Sequence, residues 1–176
     1  MPKRPVNAPA KFKPIQYGAK VQIADVDTSS QLEKERIHHI QDFFGTLLYY
    51  SRAVDTTLLA TLSQIASRQP TATEEVATMI KQLLDYVATH SNTGIRYVAS
   101  DMILNLHSDA SYLSEPKTKS RAGGHFWLGN KGDEYFNNGA IVTLSSFIKH
   151  AMSSASESEL VAIELLRHEL LPPELL

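Results

Sequence analysis

Leu104-Asn105-Leu106-His107-Ser108-Asp109-Ala110-Ser111 is the stretch on which the fold of this chain turns. Met102, Leu104 and Leu106 alternate with Ile103, Asn105 and His107, the two-residue period of a β-strand. Residues two apart in a strand share a face, so His107 and Asp109 stand on the same side. The period changes here: upstream the apolar residues recur at helical spacing, and downstream strand signals continue until about Ser153.

Working back towards the N-terminus, Ile95 to Val98 is short and β-prone. Thr71-Ala72-Thr73-Glu74 fits a capping box and opens a helix with Val76, Met79, Ile80, Leu83, Leu84 and Val87, which stops near His90. Asp55 can cap a short helix with Leu58, Leu59, Leu62, Ile65 and Ala66, ending near Pro70. Ser30-Gln31-Leu32-Glu33 is another capping box, leading into Ile37, Ile40, Phe44, Leu47 and Leu48 as far as about Arg52. From Met1 to about Gln22 there are five cations (Lys3, Arg4, Lys11, Lys13 and Lys20), no acid, and four helix-breaking prolines. A flexible basic arm, or an arm that touches nucleic acid, follows from that composition.

Towards the C-terminus, Gly123-Gly124 lead into His125-Phe126-Trp127-Leu128, and Gly139 leads into Ala140-Ile141-Val142-Thr143-Leu144. Both read as strands separated by turn-rich links. A last helix begins at Ser153 and runs through Leu160, Ile163, Leu166 and Leu170 to Pro172-Pro173. The expected fold class is therefore α+β: a basic arm over 1–27, a three-helix segment over 28–94, and over 95–176 a three-stranded antiparallel meander with one C-terminal helix.

Composition narrows the function classes. At 176 residues and 43% hydrophobic the chain can bury a core. A formal charge of -2 gives no global basic excess to attract nucleic acid, although a local patch can coexist with it. The absence of cysteine excludes disulfides, thiolate nucleophiles and Cys-based zinc sites. No stretch reaches the roughly 18 to 20 apolar residues of a membrane span, and no apolar signal core opens the chain. The expectation is an intracellular protein, cytoplasmic or nuclear, with no membrane partner.

Phosphate-binding P-loops and Gly-x-Ser-x-Gly elbows are absent. Gly123 and Gly124 are too few for a dinucleotide fingerprint, and a bulge or close packing accounts for them better. His38 and His39 are adjacent on a helix, about 100° apart, and read as a solvated face. Asp109 alone reads as a surface acid on a polar strand face. It also ends an apolar strand and is followed by the small residues Ala110 and Ser111, which would let a ligand approach. A carboxylate there can hold magnesium, which takes oxygen ligands and keeps several waters. A two-metal centre needs further acids from other elements. Glu157 and Glu159 in the last helix are candidates, although the helix dipole by itself favours acids in a first turn. Composition does not choose between them.

Several runs resemble the copia-type retrotransposon polyproteins. Gly45-Thr46-Leu47-Leu48-Tyr49-Tyr50-Ser51-Arg52-Ala53-Val54-Asp55 is similar to the helix that follows their polymerase core. Lys81-Gln82-Leu83-Leu84-Asp85-Tyr86 with Gly94-Ile95-Arg96-Tyr97 resembles the rest of that connecting region. Ser108-Asp109-Ala110-Ser111-Tyr112 and Ser120-Arg121-Ala122-Gly123-Gly124-His125-Phe126 are similar to the start of the ribonuclease H domain. Ser153-Ser154-Ala155-Ser156-Glu157-Ser158-Glu159-Leu160 resembles its first helix. The matches run in the family's order over roughly residues 15 to 162.

The resemblance implies a ribonuclease H-like sheet and magnesium-dependent hydrolysis of RNA in RNA–DNA hybrids. It maps the leading metal-binding Asp onto Asp109 and the helix Glu onto Glu159, with Glu157 second. The family's third acid, on a fourth strand parallel to the first, and its fourth acid have no counterpart, and Asp133 and Glu134 fall in a link between strands. A truncated polyprotein fragment without catalysis of its own is therefore expected, with an open sheet edge that invites self-association. The competing expectation is a non-catalytic binding or interaction module. In it, Lys117, Lys119 and Arg121 join the arm in gripping a nucleic-acid backbone, though the same residues also read as a solvated turn.

Overall fold

A computed structural model describes residues 2–12, 26–115, 119–132 and 138–170. The chain forms two compact units that divide after Ile95. Lys13, Lys20, Lys117, Asp133, Glu134 and the Pro172-Pro173 pair lie outside the described residues.

The first unit holds α1 (Lys34–Ala53), a 3-10 turn (Thr56–Leu58), α2 (Leu59–Arg68), a second 3-10 turn (Gln69–Thr71) and α3 (Glu74–Thr89). Its core gathers the stripes expected from periodicity: Leu58, Leu62, Ile65, Val76 and Leu83 are fully buried, with Leu32, Leu47 and Tyr86 around them. Each such aliphatic side chain stabilises the unit by roughly 1.5–3 kcal/mol relative to exposure. The cap at Asp55 forms as its sequence suggests, accepting from the Thr57 amide and hydroxyl.

The two capping boxes do not form as expected. α1 starts after Glu33 with no side-chain cap. The residues of the first box are extended along the start of α3 instead. Leu32 N donates to Ala72 O at 2.9 Å, Glu74 N donates to Ser30 O at 3.0 Å, and Gln31 bridges Thr73. Non-local backbone pairing and burial of Leu32 therefore outweigh a local cap. At the second box Thr73, rather than Thr71, caps α3, accepting from the Val76 amide. Thr71 is held in the turn that contains Pro70. The Thr73 hydroxyl donates to the Asp27 carboxylate, and with Ser29 it lowers that carboxyl from 3.8 to about 2. The arm touches the same helix: Val6 N donates to Thr89 Oγ1 at 3.1 Å and Gln82 Nε2 donates to Ala8 O at 3.2 Å.

The second unit is a three-stranded antiparallel sheet, β1 (Ile103–Glu115), β2 (Lys119–Gly129) and β3 (Ala140–Phe147), in the order β1-β2-β3, with α4 (Ala155–Leu170) packed over β1 and β2. The expected α+β class and meander are observed. No described helix is long and apolar enough to cross a membrane.

Gly123 and Gly124 lie inside β2 rather than ahead of it. Gly124 provides clearance for α4, because a Cβ there would fall 2.0 Å from a Leu166 methyl carbon. Ile95 to Val98 is not a strand. Val98 has its amide and carbonyl bound by the buried Asn138 side chain, whose Nδ2 also donates to Leu128 O. Tyr97 donates its hydroxyl to Ala140 O. A side-chain amide thus takes the place of a ladder. Pairing of β1 with β2 shifts register between Ser111 and Glu115, where Leu113 has φ 50° and its amide donates to Ser120 Oγ.

Candidate functional site

Residues opposite one another in an antiparallel pair project to the same face. Ala110 opposes Ala122, and both pack with Ala162 of α4; the even-numbered residues of β1 therefore face the helix. Asp109 opposes Gly123 and projects from the other face, which has no layer over it among the described elements. Asp109 is exposed, and no described residue bonds to its carboxylate.

α4 brings a second carboxylate to the same point of β1. Glu159 Oε1 accepts from the Ala110 amide at 3.2 Å. Amides along an antiparallel strand point alternately towards and away from the partner, so this one faces out from β2. Glu159 therefore reaches the outer edge of β1 at the peptide that joins Asp109 to Ala110. The two acids approach one peptide from opposite sides of the strand.

Glu157 is occupied elsewhere. Its Oε2 accepts from the Ser153 hydroxyl and amide, both at 2.6 Å, while its own amide donates to Ser154 Oγ. This reciprocal arrangement caps the helix start. The Ser153 hydroxyl, then its amide, hold the Glu157 carboxyl below its ordinary value. Of the two acids that composition left open, Glu159 is the one that reaches the peptide between Asp109 and Ala110.

Two acids do not fit a two-ion nuclease centre. Among the described residues no group of three His, Asp or Glu side chains is placed to hold a metal, and Glu159 gives one oxygen to Ala110. With Asp109 and Glu159 on opposite sides of the strand, a single hydrated magnesium ion on one carboxylate is the most this donor set accommodates. No catalytic step follows from it.

The basic residues divide. Lys119 is exposed, with Nζ 5.7 Å from the Phe147 ring centroid. Arg121 donates through Nε to Glu115 Oε1 at 2.9 Å and lies 4.3 Å over the Phe147 ring. The Arg121 and Glu115 side chains are only 13% and 9% exposed. Arg121 is thus part of a half-buried ion pair and not a cation presented to solvent, which removes one of the three residues expected to grip phosphate. His38 and His39 are both exposed on α1, as their adjacency suggests.

One cluster was not anticipated. His107 and His125 are register partners, and both rings rest against the buried Trp127, with centroids 4.8 Å and 5.2 Å away. The alternation of positions 123, 125 and 127 beside a polar strand face was the signal that could have found it.

No protein-family model, curated protein or solved structure matches this chain.

Proposed function

We propose that the chain carries the connecting region and the first half of a ribonuclease H-like domain of the copia type, and that by itself it does not cleave nucleic acid. The observation that carries this reading is the bond from the Ala110 amide to Glu159, which brings an acid from the first helix after the sheet to the β1 peptide that follows Asp109. The ordered sequence resemblance supports the same pairing. Inactivity follows from the donor count: two carboxylates leave a second ion without ligands.

The test has two arms. Purified chain, magnesium and an end-labelled RNA–DNA hybrid should give no cleavage above that of an Asp109→Asn variant; Asp109-dependent cleavage overturns the inactivity. Fusing the second half of a copia-type ribonuclease H domain after α4 should then yield magnesium-dependent cleavage that Asp109→Asn and Glu159→Gln abolish. A fusion that folds yet never cleaves overturns the family reading. Of the non-catalytic alternatives, protein interaction is favoured over nucleic-acid gripping, since Arg121 is committed to Glu115 while no described strand pairs with the outer edge of β1.

A further inference from the structure

No described strand pairs with the outer edge of β1. Because the Ala110 amide points outwards, so do the backbone groups of Leu104, Leu106 and Ser108. This free run is bounded at both ends. Met102, with φ 60°, interrupts the extended backbone on one side, and Glu159 holds the Ala110 amide on the other. Natural edges are guarded by charges, prolines or bulges. Ile103-Leu104-Asn105-Leu106-His107-Ser108 contains no Lys, Arg, Asp, Glu or Pro. Leu104 and Leu106 are 50% and 40% exposed along it.

We propose that this edge pairs with the same edge of a second copy of the chain, antiparallel and centred on Leu106, forming one sheet across a two-fold axis. The proposal is independent of the nuclease reading. In this register Leu106 meets Leu106 of the second copy and Leu104 meets Ser108 on the helix-bearing face. Asn105 meets His107 on the other face, an amide opposite an imidazole, and no like charges oppose. The neighbouring alignments are blocked. Centring on Ser108 or His107 requires the Ala110 amide that Glu159 holds, and centring on Leu104 or Asn105 carries the pairing onto Met102. The Leu106 register alone uses all three free residues in symmetric pairs, so the edge is complementary to itself in one alignment.

The full chain, sized by sedimentation equilibrium over a wide concentration range, should show a reversible monomer–dimer equilibrium. Leu106→Lys sets two like charges directly opposite each other and should weaken association by about tenfold or more. The natural chain has no cysteine, so engineered cysteines report register cleanly. Directly opposed strand residues lie about 5.5 Å apart between Cα atoms, within disulfide reach. Under oxidation Leu106→Cys should link to itself. Leu104→Cys alone should not, whereas Leu104→Cys mixed with Ser108→Cys should. A monomer at every concentration overturns the proposal, as do open-ended aggregates or a dimer indifferent to Leu106→Lys. If Leu106→Lys loses its native circular dichroism, the cross-linking pattern decides alone, and linking without regard to register overturns it.

Discussion

Leu166 of α4 occupies the space that a side chain at position 124 would need: a Cβ built on Gly124 lies 2.0 Å from one Leu166 methyl carbon and 2.8 Å from the other. Gly124→Ala should therefore destabilise the sheet unit by about 1–3 kcal/mol through overpacking. Trp127 is the chain's single tryptophan and sits in that unit, so urea unfolding followed by its fluorescence reads the change directly. Adding Leu166→Ala to Gly124→Ala should cost less than the sum of the two single changes, because the cavity of one accepts the methyl of the other. Strict additivity would mean that the glycine serves backbone conformation instead.

Glu159 stabilises the outer edge of β1 by satisfying one amide. Glu159→Ala should lower stability by about 0.5–1.5 kcal/mol, and Glu159→Gln, which keeps an acceptor, should retain most of it. Hydrogen exchange at Ala110 should accelerate in the alanine variant and change little in the glutamine variant. Equal acceleration in both would show that charge, and not hydrogen bonding, holds the contact.

The Glu115–Arg121 pair makes a sharper case, since neither side chain is more than 13% exposed. Removing the guanidinium leaves the Glu115 carboxylate buried without its cation, so Arg121→Ala should cost about 3–5 kcal/mol. Replacing both residues by apolar ones of similar volume should cost much less, with Phe147 still available for packing. Thermal unfolding of the two single variants and the double variant checks this. Arg121→Ala should reduce stability without altering any salt-dependent binding of an RNA–DNA hybrid.

Asp27 links the helical unit to pH. The Thr73 hydroxyl and Ser29 lower its carboxyl from 3.8 to about 2. A group whose pKa is lowered by folding contributes stability above its unfolded value and loses it as the pH falls through the folded value. The contribution should be complete above about pH 4 and gone near pH 2. Solvent screening keeps it to about 1 kcal/mol or less. Comparing wild type with Asp27→Asn by far-ultraviolet circular dichroism at both pH values should show a gap that closes in acid; a gap constant with pH would assign the effect to packing.

What the sequence alone disclosed follows the range of the interactions involved. Apolar periodicity is local, and it located four helices near their ends and three strands, although β2 begins at Lys119, six residues before His125, and β1 continues to Glu115. The first capping box did not form because Ser30 to Leu32 pairs with Ala72 to Glu74, a partner that no local window contains. Gly123-Gly124 looked like a lead-in because Leu166, the residue that needs Gly124 bare, comes much later in the chain. At the site, Glu157 and Glu159 are alike in composition and helix position. Only the reach of Ser153 back to Glu157 and of Glu159 out to Ala110 separates them. Arg121 read as a surface cation for the same reason: the register shift that brings Glu115 against it leaves no mark in sequence spacing.

Asn138 has a consequence for chemical ageing. Its Nδ2 donates to two carbonyl oxygens, those of Val98 and Leu128, while its Oδ1 accepts from the amides of Val98 and Gly139. Asparagine followed by glycine is the dipeptide most given to losing ammonia through a cyclic imide, because the next amide nitrogen meets so little hindrance. Deamidation would replace the donor pair with an oxygen that can only accept. That oxygen would face the Val98 and Leu128 carbonyls within a buried pocket, where unpaired charge is costly. The Gly139 amide already lies 2.8 Å from Asn138 Oδ1, and a single lost nitrogen would turn the clamp into a wedge.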